Sequence, residues 1–237
     1  MEDWRIQLGD SDHGILWAYW RVWSQKLTGI VIQETPSTGR EGYRKEIIFQ
    51  AGEPVAAMSN KSQESLGGFL VEKGRLKAEQ VKILQDEARQ ENVDFAQKLL
   101  VSGQVASSEI NEILEKFLRA KIFSSVAATR GSIQFKNLKE VPEKVFERSP
   151  VRLSAPFGHI FWTEAKLGLL EDYCKARLSK KSGQSLRIRG DCPLSLGPTD
   201  LREWNAMSRT EVLPLAQSFN SQQLLVLAME FEQVVWG

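Results

Sequence analysis

Thr28-Gly-Ile-Val-Ile-Gln-Glu-Thr35 and Arg44-Lys-Glu-Ile-Ile-Phe-Gln50 are two short runs rich in β-branched and apolar residues, and the loop between them carries Pro36, Gly39 and Gly42. Each is too short for an ordinary helix and is bounded by residues that break one, so the pair reads as a β-hairpin. Ala51-Gly52-Glu53-Pro54 follows as a tight turn, and residues 55–58 supply a third strand of the same antiparallel meander.

Outward from this meander the pattern is helical on both sides. Upstream, Ile15, Leu16, Tyr19, Trp20, Val22 and Trp23 share one side of a 3.6-residue wheel behind the N-cap candidate Asp12, and the helix ends near Lys26. Downstream, residues 62–126 contain no proline and hold an internal repeat. Ser65-Leu-Gly-Gly-Phe-Leu-Val-Glu-Lys-Gly74 is echoed by Asp94-Phe-Ala-Gln-Lys-Leu-Leu-Val-Ser-Gly103, an offset of 103 − 74 = 29 residues. In each copy a short apolar helix stops at a glycine suited to the left-handed cap, and a second helix starts near Lys77 or at Ser107. The longer of these carries Ile110, Ile113, Leu114, Phe117, Leu118 and Ile122 as an apolar stripe. After Gly131, residues 132–136 alternate like a strand returning to the sheet.

Residues 138–150 are charged, hold two prolines and read as a linker. Beyond it a long helix over roughly 156–178 is expected. A short strand at 186–188 and three helical pieces at 199–207, 209–218 and 221–235 complete a helical C-terminal domain, residues 151–237. The fold class is therefore α+β: a small antiparallel sheet with an N-terminal helix and a helical insertion at about 62–105, all within residues 1–137.

Composition excludes several function classes. With 31 Lys and Arg against 30 Asp and Glu among 237 residues, the net charge of +1 is not that of a dedicated nucleic-acid binder. No GxSxG, GxxxxGK[ST] or GxGxxG occurs, and neither His13 nor His159 has a second ligand at metal-binding spacing. Asp10 and Asp12 beside His13, and Glu64 with Glu72, are explained by caps and solvated helix faces, so no catalytic residue, metal or cofactor is expected. Two cysteines make no disulfide framework. The start carries Glu2 and Asp3 in place of a basic leader, and no apolar run reaches membrane-helix length, so a bacterial-type cytoplasmic protein without membrane insertion is expected.

Three groups of residues are candidates for binding. Trp17 sits beyond the edge of the apolar stripe, next to Arg21 and Ser24, and this pairing of a half-exposed indole with a guanidinium has the composition of a contact hot spot. Lys175, Arg177, Lys180, Lys181, Arg187 and Arg189 fall in a stretch with no acidic residue, which suits an acidic protein partner. DNA is disfavoured there, because the last expected helix has no Lys or Arg. The third group lies in the repeat.

The order of an aromatic helix, Leu27-Thr28-Gly29-Ile30-Val31-Ile32, Ile47-Ile48-Phe49-Gln50-Ala51-Gly52-Glu53-Pro54-Val55-Ala56-Ala57, further helices and Gly131-Ser132-Ile133-Gln134-Phe135 resembles the bacterial PATAN family, over about residues 14–137. The resemblance implies a non-enzymatic signalling adaptor that contacts other proteins in the control of surface motility and pili. The repeat is similar to the MshEN-type domain of pilus and secretion ATPases, whose tandem motif can bind cyclic di-GMP. Leu66, Gly67, Leu70, Val71 and Gly74 fit its first copy, and Phe95, Ala96, Leu99, Leu100 and Gly103 its second. On that resemblance, Leu66, Gly67, Gly74 and Gly103 would mark a nucleotide site. The motif's opening Arg is Ser65 in one copy and Asp94 in the other, and its closing Gln is Ala88 and Phe117, so the charge-assisted contacts to phosphate are lost. The sequence thus points to a protein-binding adaptor, with a cyclic di-GMP receptor and a DNA-binding regulator as alternatives, and leaves homo-oligomerisation open.

Overall fold

The computed structural model describes residues 2–8, 14–36, 42–124, 126–143, 145, 153, 157–169, 171–179, 186–188, 202, 204, 219–230 and 234–236. Five antiparallel strands form the main sheet: β1 (Trp4–Gln7), β2 (Gly29–Thr35), β3 (Tyr43–Gln50), β4 (Glu53–Ser59) and β5 (Ser132–Asn137), in the order β1-β5-β2-β3-β4. The expected meander is present. β4 starts two residues before the expected strand, so Pro54 lies inside it, which an edge strand tolerates. The pairing of Ile48 with Ala56 and of Phe49 with Pro54 leaves Val55 as a bulge. Strand β1 was not expected, because four residues with two apolar side chains carry almost no periodic signal.

Alternation divides the sheet cleanly. Val31 pairs with Ile47 and Phe135, and all three enter the main apolar cluster, whereas Ile48, Val55 and Ala56 pack with Val141 in a small cluster on the opposite face. Helix α1 (Ile15–Ser24) lies in the main cluster, with Gly14 at its N-cap; the expected cap, Asp12, is outside the described residues.

The repeat forms four helices, α2 (Leu66–Glu72), α3 (Ala78–Glu91), α4 (Phe95–Val101) and α5 (Ile110–Phe123), around an apolar cluster of their own. The 29-residue offset is visible in the packing. Leu70 and Leu99, Leu76 and Val105, Val81 and Ile110, and Leu84 and Ile113 are corresponding pairs, and every member is buried in that cluster. Ser65 and Asp94, also a pair, are the two N-caps: Ser65 Oγ accepts from Gly68 N at 3.1 Å and Asp94 Oδ1 from Ala96 N at 2.7 Å. Gly74 and Gly103 both take the left-handed conformation, at φ 66° and 70°. Helix α5 starts at Ile110, three residues after the expected Ser107.

The long helix expected at 156–178 is two helices, α6 (Phe157–Gly168) and α7 (Glu171–Ser179). The break is stabilised from outside: the Gln223 amide donates to Lys166 O at 2.8 Å and Leu169 O at 3.0 Å, carbonyls that an unbroken helix would have used itself. Gln223 belongs to α8 (Phe219–Glu230), and the helix expected to run to 235 gives way to β7 (Val234–Trp236), paired with β6 (Leu186–Ile188). The expected helices at 199–207 and 209–218 lie outside the described residues except for Arg202 and Trp204, whose indole is buried. Phe157, Phe161, Tyr173, Trp204 and Leu224 join the same cluster as α1 and the sheet. Among the described residues, no helix is long and apolar enough to cross a membrane.

Candidate functional site

The expected hot spot on α1 is buried. Trp17 is only 4% exposed, because the wheel accounted for one packed side of α1 whereas the helix is covered on several. Trp4, on the unexpected β1, meets Trp17 edge-on at 5.1 Å, and the Arg21 guanidinium lies 5.1 Å over Trp17 and 5.8 Å over Trp4. Arg21 therefore closes over two indoles by cation–π contact. Trp20 and Trp23, expected in the core, are the half-buried members; a side-chain carbon added to Gly158 would come within 2.1 Å of the Trp23 ring, so α6 crosses α1 closely there.

The basic stretch is only partly a surface. Arg177 is buried on the same side of α7 as Tyr173 and Cys174, at spacings of three and four residues, which corrects its expected exposure. Lys175 is exposed but paired with Glu171 at 2.6 Å, and this contact raises its pKa. Arg187 lies on β6 opposite Val235, and Lys180, Lys181 and Arg189 fall outside the described residues. The buried Cys174 thiol is pushed up to about 12 by desolvation, which makes it a poor nucleophile.

In the repeat, Gly67 serves helix packing: a side-chain carbon there would come within 2.4 Å of Val81 Cγ1 and 2.9 Å of Gln85 Nε2. Leu66 packs at the margin of the repeat's apolar cluster. At Gly74 and Gly103 the same construction meets nothing within 4 Å, so these two glycines serve the turn conformation.

A different polar centre joins the sheet to the helical insertion. Lys45, in the middle of β3 and 1% exposed, donates from Nζ to Lys121 O at 2.6 Å and to Ser124 Oγ, both at the end of α5. Glu64, in the 3-10 turn Ser62–Glu64 that leads into α2, has its Oε2 3.9 Å from Lys45 Nζ. Glu64 accepts from the Tyr43 hydroxyl at 2.9 Å and from Ser124 Oγ at 3.2 Å, while Lys61 Nζ sits 4.2 Å over the Tyr43 ring. Burial lowers the Lys45 pKa to about 8, partly opposed by Glu64, and lowers Lys121 in the same direction. Nearby, the buried Tyr19 hydroxyl donates to Ile122 O at 3.1 Å and its pKa is raised by desolvation.

A lysine titrating near 8 beside a carboxylate and a phenol has the ingredients of acid–base chemistry, but Lys45 is sealed from solvent. The group acts as a knot tying β3, the entry to α2 and the end of α5. Sequence reading missed it because Tyr43, Lys45, Glu64 and Ser124 are scattered over 82 positions and match no motif. A Lys alternating in register with Ile47 and Phe49 was the available signal. Glu72, the other half of the imagined carboxylate pair, points to solvent and pairs with Lys73 at 3.0 Å. Among the described residues, no three His, Cys, Asp or Glu side chains are grouped to hold a metal ion.

The arrangement defines an α+β protein whose five-stranded sheet is pinned to a two-copy helical repeat. No family model, curated protein or solved structure matches the chain.

Proposed function

We propose that the protein is a non-enzymatic signalling adaptor that binds a protein partner through the outer surface of its helical insertion. The observation that supports this is where large apolar side chains meet solvent. Of the four large hydrophobic residues exposed among the described ones, Val71, Ile83 and Val101 belong to α2, α3 and α4, and Val101 is 75% exposed. An isolated apolar side chain on a surface is ordinary, but three on one small helical unit fit a contact surface. The buried Phe69, Leu70, Val81, Leu84 and Leu99 of the same helices form the platform that holds these side chains in place.

The role in bacterial motility or pilus control rests on the PATAN resemblance. Its sequence blocks fall on α1, β2, the β3–β4 pair and β5, elements that pack against one another here. The test is affinity capture from the native cell with wild type, Ile83→Asp and Val101→Asp, followed by titration of the purified captured protein. Both side chains are exposed, so the variants should fold, and each should weaken binding by about tenfold or more, on the order of 1.4 kcal/mol. Equal affinity for all three proteins rejects this surface.

A further inference from the structure

The two edges of the main sheet are guarded differently. The β4 edge carries Pro54 and a bulge at Val55, two features that discourage a further strand. The β1 edge has neither, and its protection is its four-residue length and the charge of Arg5. Leu8 N donates to Gly131 O at 2.8 Å, next to the pairs Ile6 with Ile133 and Trp4 with Phe135. Alternation in an antiparallel ladder then turns the backbone groups of Trp4 and Ile6 towards β5 and those of Arg5 and Gln7 outward, where no described strand pairs with them.

The core also runs out at β1. Ile133 and Phe135 are 0% exposed, whereas Ile6 and Trp4 opposite them are only half-buried. Arg21 lies 5.8 Å over the Trp4 ring, itself half-buried, and no carboxylate among the described residues pairs with it. Asp3, next to Trp4 in sequence, accepts instead from Asn137 N at 2.8 Å.

We infer that β1 is a docking edge for an extended peptide of a partner protein, which adds as a sixth strand, covers Ile6 with an apolar side chain and gives Arg21 a carboxylate. Arg5 and Gln7 supply the main-chain hydrogen bonds, and the peptide residues opposite Ile6 and Trp4 share the inner face, two positions apart. The recognised pattern is therefore apolar-x-acidic in an antiparallel strand and acidic-x-apolar in a parallel one. A second copy of β1 fits less well, because the strand presents Trp4 and Ile6 on that face and no carboxylate for Arg21. The docking edge stands whatever protein the helical insertion contacts.

The test is a polarisation titration of the full chain into fluorescein-labelled Ser-Thr-Val-Thr-Glu-Thr-Ser and Ser-Thr-Glu-Thr-Val-Thr-Ser. One order should saturate in about the millimolar range or below, and the same peptide with Gln for Glu should bind about tenfold more weakly. Proline in place of the central Thr, whose amide faces Arg5, should abolish binding. Arg21→Gln should weaken the Glu peptide by the same factor and leave the Gln peptide unchanged; the comparison of the two peptides on the wild type holds even where that variant does not fold. Amide hydrogen exchange at Arg5 and Gln7 should slow in the complex. No saturation by either order up to about 10 mM overturns the docking edge, as does equal binding of the Glu and Gln peptides or unchanged exchange at Arg5 and Gln7. A peptide-free dimer in which these two amides are already protected also overturns it, and gives the edge to a second copy.

Discussion

Replacing Lys45 with methionine removes the buried ammonium while keeping an unbranched side chain of similar length in the sheet. In the native protein Lys45 titrates at about 8 against an ordinary 10.5, a difference of 10.5 − 8 = 2.5 units. At ~1.4 kcal/mol per unit, holding the charge in the folded state costs about 3 kcal/mol at neutral pH. The sign follows from proton counting. Between pH 8 and 10.5 the unfolded chain binds more protons at this site than the native one, so wild-type stability rises with pH across that window. Below 8 both states are protonated and the full cost remains.

Two neighbours titrate in the same region. Lys121, also lowered, adds to the rise, and Tyr19, raised by burial, reduces stability once the pH passes the ordinary phenol value. Both are present in the variant too, so the difference between the two proteins isolates Lys45. At pH 7 the variant loses the hydrogen bond to Lys121 O, worth ~1–3 kcal/mol if that carbonyl is stranded, against relief of the charge. The two should be close in stability. Between pH 7 and 10 the wild type should then gain about 2–3 kcal/mol on the variant in urea unfolding. Parallel stability curves would show that Lys45 is not held as a costly buried cation.

Leu70→Ala and Leu99→Ala each empty a site in the repeat's cluster and should cost ~2–5 kcal/mol in a denaturant melt; a wild-type midpoint in both would mean the cluster is not a stability element. Trp17→Ala should cost ~3–5 kcal/mol, since the indole is wedged between Trp4 and Arg21, and an unchanged thermal melt would contradict its burial. Gly67→Ala drives a carbon into Val81 and should cost ~1–3 kcal/mol by the same assay, unless α2 and α3 separate freely. Cyclic di-GMP should bind no tighter than about millimolar, ~4 kcal/mol, because the positions of the motif's opening Arg are the caps Ser65 and Asp94; a micromolar isotherm would overturn this.

Period and punctuation made most of the sheet legible. The runs containing Ile30, Val31 and Ile32 and Ile47, Ile48 and Phe49 are β-branched or aromatic, short and bounded by breakers, so they became β2 and β3 with boundaries close to those expected. The repeat was legible for a related reason. A 29-residue echo fixes which apolar positions correspond, and corresponding positions met the same fate in the packed state. What escaped was decided by neighbours distant in sequence. The break between α6 and α7 has its stabilising amide on Gln223, more than fifty residues away. The end of α8 is decided in part by the pairing of β7 with β6.

Trp17 shows why the candidate site was harder to read than the fold. A helical wheel reports how apolar residues are distributed around one helix, and it assigns exposure by assuming a single buried side. Helix α1 breaks that assumption, because the sheet, β1 and the C-terminal helices all reach it. The most apolar of the described helices was therefore the worst place to seek an exposed hot spot. Helices α2 to α4 satisfy the assumption: their inner positions fill one small cluster, and Ile83 and Val101, off that face, remain in solvent. The reading that placed a half-exposed indole on α1 would have found exposed apolar side chains on α3 and α4, because a thin layer of helices has only one side to bury.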